Sequence, residues 1–440
     1  MSLGFSAIAL GQLRLNVNEA SWFASVTAMS YPLGSILIGP VMDKLGRRPA
    51  LLSIDVLSFF GWLMLSVHTT SPSIAKLIIG RVLTGIAGGL ASVPASVYSA
   101  ECLSPGSLSI RSSLVTWSTV ALSAGIFLVY GLGSLMPYYA VGSIATLFSI
   151  TSLILVAIFI PESPAWLTSK GRLGDAEWSQ KELNLVTTPS TSERTEAEDS
   201  EDGSPLPHEP PLPPPRTLQE MLRPEAYKPL LIMIFFFFFQ QFSGVYVLLA
   251  YTVDVVRSAD VVTVNPYLVT ALGGTIILVV SLLASLIYPK TGVRAIATVS
   301  GAGMAATMLF LGLFHAFRDD WSRVPTLYFL NWIPFFVILG NIALSTLGFL
   351  ILPWSMLGEV FPLNVKGLAA GIATCFGFLF SFAAVKLYPY LRLGLGVSGM
   401  FFFFGTMAVF GTIFVVFFLP ETKGKTLEEI VEGFSKPRRR

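Results

Sequence analysis

The sequence predicts an all-α membrane protein of twelve transmembrane helices, arranged as two six-helix halves. Three observations carry that expectation. Of 440 residues, 53% are hydrophobic and only 12% are charged, about half the charged share of a soluble domain, which excludes an ordinary water-soluble enzyme. The apolar residues gather into runs close to the roughly 20 residues that a spanning helix needs. These runs are continuous, whereas barrel strands would alternate in segments of about 10 residues.

In chain order the apolar windows fall at 1–13, 20–42, 50–67, 75–98, 113–133 and 138–160, then at 229–256, 266–288, 295–316, 325–358, 367–388 and 396–419. The first window is short, closed by Gln12 and Arg14, and reads as a truncated helix. No basic n-region or cleavage site marks a signal peptide there. The chain thus divides into a first half at 1–160, a polar central loop at 161–228, a second half at 229–419 and a tail at 420–440. Pro, Ser and Glu dominate 187–215, a composition too polar to bury a core, so disorder is expected there. On either side, 165–185 reads as an interfacial amphipathic helix, and Thr217-Leu218-Gln219-Glu220 as a capping box. Lys and Arg are commoner on the central-loop side of the bundle, where Arg81 is counted with the opposite side, so both termini are expected in the cytoplasm of the plasma membrane.

A net charge of +2 gives nucleic acid no support as a partner. Cys102 and Cys375 fit neither a disulfide framework nor a metal site, and no cofactor is implied.

An internal repeat runs through the loops. Gly46 and Arg48 after the second window match Gly292 and Arg294 after the eighth at one common offset. Glu101 matches Glu359, and Pro161-Glu162 matches Pro420-Glu421. Parallel repeats of this kind are the organisation of the major facilitator fold, whose substrate site lies near the midplane between the halves.

Several short motifs then narrow the reading. Asp43-Lys44-Leu45-Gly46-Arg47-Arg48, Gly80-Arg81, Pro161-Glu162-Ser163-Pro164-Ala165-Trp166-Leu167, Gln240-Gln241-Phe242-Ser243-Gly244, Pro353-Trp354 and Pro420-Glu421-Thr422-Lys423-Gly424 occur in that order. Together they resemble the sugar porter family, and 18–48 and 240–255 are most similar to its insect facilitated trehalose transporters. The resemblance implies transport of a hexose or trehalose by alternating access, with no chemistry catalysed.

Gln240 and Gln241 stand in an otherwise apolar helix after the Phe run 235–239. An amide in that setting needs a partner, either sugar hydroxyls or a neighbouring helix. Trp354 follows Pro353, where a helix bend is expected; by resemblance its indole lines the sugar pathway, although a tryptophan belt is the plainer reading. The resemblance also implies substrate positions at Thr119 and Tyr246, and an outer gate at Tyr251. Arg47, Arg48, Glu101, Arg111, Glu162, Arg294, Glu359, Lys366 and Glu421 fall at the central-loop ends of the helices. The resemblance makes them gate residues that pair across helix ends and separate when the carrier opens inward. Plain positive-inside anchoring is the alternative. Gly85 with Gly89, and Gly367 with Gly371, are spaced for close helix approach.

The departures from the family pattern are equally specific. Thr119 replaces a glutamine, while Tyr246, Ile277 and Gly377-Phe378 stand where asparagine or Asn-Trp is usual. Ala165, Pro289, Lys290, Val293 and Leu350-Ile351 also depart. These losses keep open a carrier of a less polar solute and a carrier-derived sensor or scaffold without flux. Asp55 keeps proton symport open. Pro211-Leu212-Pro213-Pro214-Pro215-Arg216 fits a stiff spacer or an SH3-binding segment.

Overall fold

The computed structural model describes residues 1–67, 73–102, 108–183, 221–259, 264–288, 291–317, 330, 332–362, 365–421, 423, 429 and 433–434, except the side chains of 96, 99, 100 and 108–119. The Pro-rich segment 211–216, the disorder expected at 187–215, the capping box at 217–220 and the side chains of Arg111 and Thr119 lie outside those residues.

Every element among the described residues is helical. The first six-span half comprises α1 (Ser2–Leu10), α2 (Val17–Leu45), α3 (Arg47–Ser66), α4 (Ile74–Leu90) continued by α5 (Pro94–Cys102), α6 (Leu108–Leu135) and α7 (Tyr138–Phe159). Two short helices follow, α8 (Pro164–Ser169) and α9 (Leu173–Glu182). The second half comprises α10 (Pro224–Phe242) with α11 (Val245–Ser258), α12 (Pro266–Ile287), α13 (Val293–Ala316), α14 (Ile333–Leu347) with α15 (Leu352–Met356), and the long α16 (Lys366–Phe418). Gly396, at φ 71°, divides α16 into its two spans.

The halves meet along three seams: α1 on α11, α2 on the first span of α16, and α6 on α12. Specific side-chain contacts cross between the halves. Ser123 and Ser281 share a 2.7 Å bond between α6 and α12, and the Tyr130 hydroxyl donates to the Leu249 carbonyl at 2.7 Å. Tyr31 of α2 stacks on Phe378 of α16 at 4.5 Å.

Four local expectations are corrected. The stretch 165–185 is two helices, because the chain turns at Gly171, whose φ of 74° favours glycine. Arg81, counted among loop cations, is buried inside α4 with 1% exposure. Gly85 and Gly89 do lie against α2, at Thr27 and Tyr31, but a Cβ on Gly367 or Gly371 would meet nothing within 4 Å. The bend expected at Pro353 is a full interruption at 348–351, with Pro353 in the first turn of α15.

The repeat in the loops has a geometric cause. Glu162 reaches back to the start of α3, where its Oε1 accepts the Arg47 N–H at 2.7 Å. Glu421 does the same for α13, accepting the Val293 N–H at 3.0 Å. In each case the carboxylate lies where a Cβ on the preceding glycine, Gly46 or Gly292, would sit. A carboxylate satisfies the orphan N–H groups and the dipole of a helix N-terminus, so glycine and glutamate recur together.

Candidate functional site

The two glutamines stand at the end of a helix. Ser243 and Gly244 break the span after α10, with Gly244 left-handed at φ 91°. A second irregularity falls at Tyr251 in α11. Facing this break, the chain between α14 and α15 unwinds, so two interrupted helices oppose each other at mid-depth, where irregular backbone is tolerated only inside protein.

Gln240 and Gln241 occupy this region differently. Gln240 donates through Nε2 to the Phe349 carbonyl at 2.5 Å and the Leu350 carbonyl at 3.2 Å. Its Oε1 accepts from Gln241 Nε2 at 3.1 Å. Both polar ends of Gln240 are therefore engaged, and they pin the unwound carbonyls. Gln241 is fully buried, and its Oε1 has no hydrogen-bond partner. A buried unsatisfied amide oxygen costs about 1–3 kcal/mol.

An aromatic cluster begins one helical turn before Gln241, at Phe237. Phe237 meets Trp354 edge-on at 4.8 Å, Trp354 meets Phe378 at 5.0 Å, and Phe378 stacks on Tyr31. The buried Trp354 indole N–H faces the hydroxyl of Tyr246, which is 5% exposed on the first turn of α11. Trp354 and Tyr246 thus share one region, and nearby the Gln241 Oε1 is left without a partner. Tyr31 and Phe237 belong to the same cluster and were missed, because a single aromatic in an apolar helix carries no signal of its own. The void among Tyr130, Leu249, Ile277 and Thr346 measures about 10 Å³, room for one water.

Tyr251 lies farther along α11, against Tyr388 of α16 at 4.4 Å. Its hydroxyl is buried without a hydrogen-bond partner, at the floor of a vestibule of about 430 Å³. Tyr388 and Arg392 both bind Asp254, at 2.8 and 2.5 Å. Two contacts from α16 tie the halves here: Lys386 donates to Ser21 Oγ at 2.9 Å and sits 3.9 Å over the Trp22 ring.

At the α8–α9 end the charges form one network inside the first half. Arg47 pairs with Glu101 at 2.5 Å, and Ser163 donates to the same carboxylate at 2.5 Å. Arg48 donates through its side chain to the Ala157 carbonyl and through its backbone to Glu162. The second half has no counterpart among the described residues: Arg294, Glu359 and Lys366 make no ion pair there, and Val293 takes the place that Arg47 fills in the first half. At this end the ion pair seen is therefore within one half, whereas Lys386 ties the two halves at the opposite end.

The chain matches the family model described as sugar (and other) transporter over residues 11–434. It is 30% identical over 97% of its length to the facilitated trehalose transporter of Apis mellifera ligustica, covering 82% of that protein. With that of Culex quinquefasciatus the identity is 28%, over 94% of this chain and 77% of the relative. Among solved structures, the partially occluded inward-open xylose transporter XylE of E. coli superposes with a TM-score of 0.73 at 22% identity, over 97% of this chain and 95% of the other. A match across nearly the whole chain, in an all-helical fold of two six-span halves, makes this protein a member of the sugar transporter family, a multi-pass membrane transporter.

Proposed function

We propose that the protein is a facilitative sugar carrier, moving trehalose or a hexose down its gradient by alternating access. The observation that carries this reading is the buried, partnerless Gln241 oxygen. A pyranose offers a hydroxyl to that oxygen and an apolar face to the rings of Trp354, Phe237 and Phe378. Tyr246 and Thr119 complete the proposed substrate set, and Tyr251 with Tyr388 forms the proposed outer gate. At the other end, Arg47, Arg48, Glu101, Arg111 and Glu162 of the first half, and Arg294, Glu359, Lys366 and Glu421 of the second, form the inner gate. The carrier sits in the plasma membrane with both termini cytoplasmic, so that α8 and α9 lie on the inner face.

Uniport is favoured over proton symport because, among the described residues, the one carboxylate named at a seam, Asp254, is committed to Tyr388 and Arg392. Arg81 is held by the Ser2 carbonyl at 2.7 Å, Ser6 Oγ at 2.6 Å and the Phe23 carbonyl at 3.2 Å, with no carboxylate in ion-pair range among the described residues. Asp55 is half-buried between α3 and α7, hydrogen-bonded to Ser152 at 3.1 Å and away from all three seams. The test is uptake of radiolabelled trehalose and glucose into cells expressing the chain, with and without a protonophore. Saturable uptake unchanged by the protonophore is expected; uptake that collapses with the proton gradient identifies a symporter.

A second reading, transport of a less polar solute, draws on Phe378 and Ile277, which replace hydrogen-bonding groups at the centre. Neither sugar would then be taken up, and removal of the Gln241 amide would leave flux of the true solute unchanged.

A further inference from the structure

On the α8–α9 end of the second half, a crevice of about 870 Å³ opens between α10, α13 and the last turns of α16. Its walls are aromatic. Phe239 of α10 packs on Phe414 of α16 at 5.4 Å, and Phe414 stacks on Phe418 at 5.2 Å. Phe235 and Phe418 are each 50% exposed on the outer surface of the bundle, so the crevice opens toward the surrounding bilayer and away from the seams between the halves.

The rim of this apolar crevice is charged: Lys228, Arg294, Glu421 and Glu429 line it. Glu421 is committed to the α13 N-terminus, its Oε1 accepting from the Val293 and Lys423 N–H groups at 3.0 and 3.3 Å. Lys228 spends one of its three protons on the Phe434 carbonyl at 2.7 Å. The Arg294 guanidinium makes no hydrogen bond or ion pair among the described residues. Lys228 lies one turn inside α10 and Arg294 at the start of α13, whereas Phe418 ends α16. The cations therefore lie at the level of the headgroups and the phenyl rings at the level of the acyl chains.

An ordinary lipid-facing surface is convex and needs no cation. A free phosphate would meet Lys228 and Arg294 but leave the phenyl walls unexplained, and a lipid without net charge would leave the cations unexplained. Basic pockets between helices at the inner face suit acidic headgroups, at about 1 kcal/mol per Lys or Arg. We propose that this crevice is a binding site for one acidic phospholipid, its phosphate between Lys228 and Arg294 and an acyl chain laid along Phe239 and Phe414. Phe239 immediately precedes Gln240, so the lipid braces the helix that pins the unwound carbonyls at Phe349 and Leu350.

Native mass spectrometry of the purified full chain, offered phosphatidylglycerol and phosphatidylcholine of matched chain length, tests this without any transported solute. The expected result is preferential retention of one phosphatidylglycerol, weakened about fivefold by Lys228→Gln and by Arg294→Gln singly, and more by both. Lys228→Arg should retain it, and inorganic phosphate should fail to displace it. The proposal is overturned by equal retention of the two lipids, by full retention in the double variant, or by displacement with phosphate alone. Because the readout is lipid mass, it stands or falls separately from sugar flux.

Discussion

Replacing Gln241 with alanine removes saturable sugar uptake, with an expected loss of about ten- to a hundredfold from one hydrogen-bonding group in a buried site. Stability should change little. The Gln241 oxygen is buried without a partner, but its Nε2 satisfies Gln240 Oε1, so Gln241→Leu exchanges one orphaned oxygen for another and should leave the melting temperature of the purified protein close to that of the parent. Gln240→Ala provides the contrast. It strands the Phe349 and Leu350 carbonyls that Gln240 now satisfies, at about 1–3 kcal/mol each, and should lower folded yield and melting temperature along with uptake. The account fails at this point if Gln241→Leu transports like the parent, or if the two glutamines prove interchangeable in stability.

Arg81→Leu carries the largest expected loss of stability. The guanidinium ties α1 to α4 through Ser2 and Ser6 and ties α2 through the Phe23 carbonyl, and it lies 5.3 and 5.9 Å from the Phe23 and Phe5 rings. Leucine leaves two buried acceptors and one part-buried acceptor unanswered and gives up both cation–π contacts, about 4 kcal/mol or more together. Lysine keeps the charge but cannot reach three diverging acceptors from one nitrogen, so Arg81→Lys should fall between the parent and leucine. Thermal melting of the detergent-solubilised protein orders the three. A lysine variant that melts like the parent would show that charge, and not the fork, holds α1.

The spans were legible because each is a continuous apolar run, and the end-of-helix carboxylates because their geometry demands the glycine that precedes them. Glu162 with Gly46, and Glu421 with Gly292, repeat for that reason. What sequence concealed lies where helices stop inside the bundle. Gln240 and Gln241 are adjacent and alike in the sequence, yet a turn of about 100° between neighbours aims one at the Phe349 carbonyl and leaves the other without an acceptor's partner. Tyr31 and Phe378 are far apart in sequence, on α2 and α16, so only tertiary structure brings them into contact. Arg81 was misplaced because its hydrogen bonds to backbone carbonyls, which satisfy it without any acid, leave no trace in composition.

The charges at the α8–α9 end are one-sided in the same way. Arg47 and Glu101 are mutually paired in one half, while Val293 denies the other half the same pair. The molecule thus has a latch of charge in one half only at that end, and at the opposite end its halves are tied by Lys386 to Ser21 and Trp22.

Counterflow in proteoliposomes tests the central claim most directly. Vesicles loaded with unlabelled trehalose or glucose, and diluted into tracer of the same sugar with no ion gradient, should accumulate tracer transiently above its equilibrium level. That overshoot requires a site that exchanges sugar across the membrane without another energy source. Protein correctly reconstituted that gives no overshoot with either sugar, or gives one only under an imposed proton gradient, would contradict a facilitative sugar carrier.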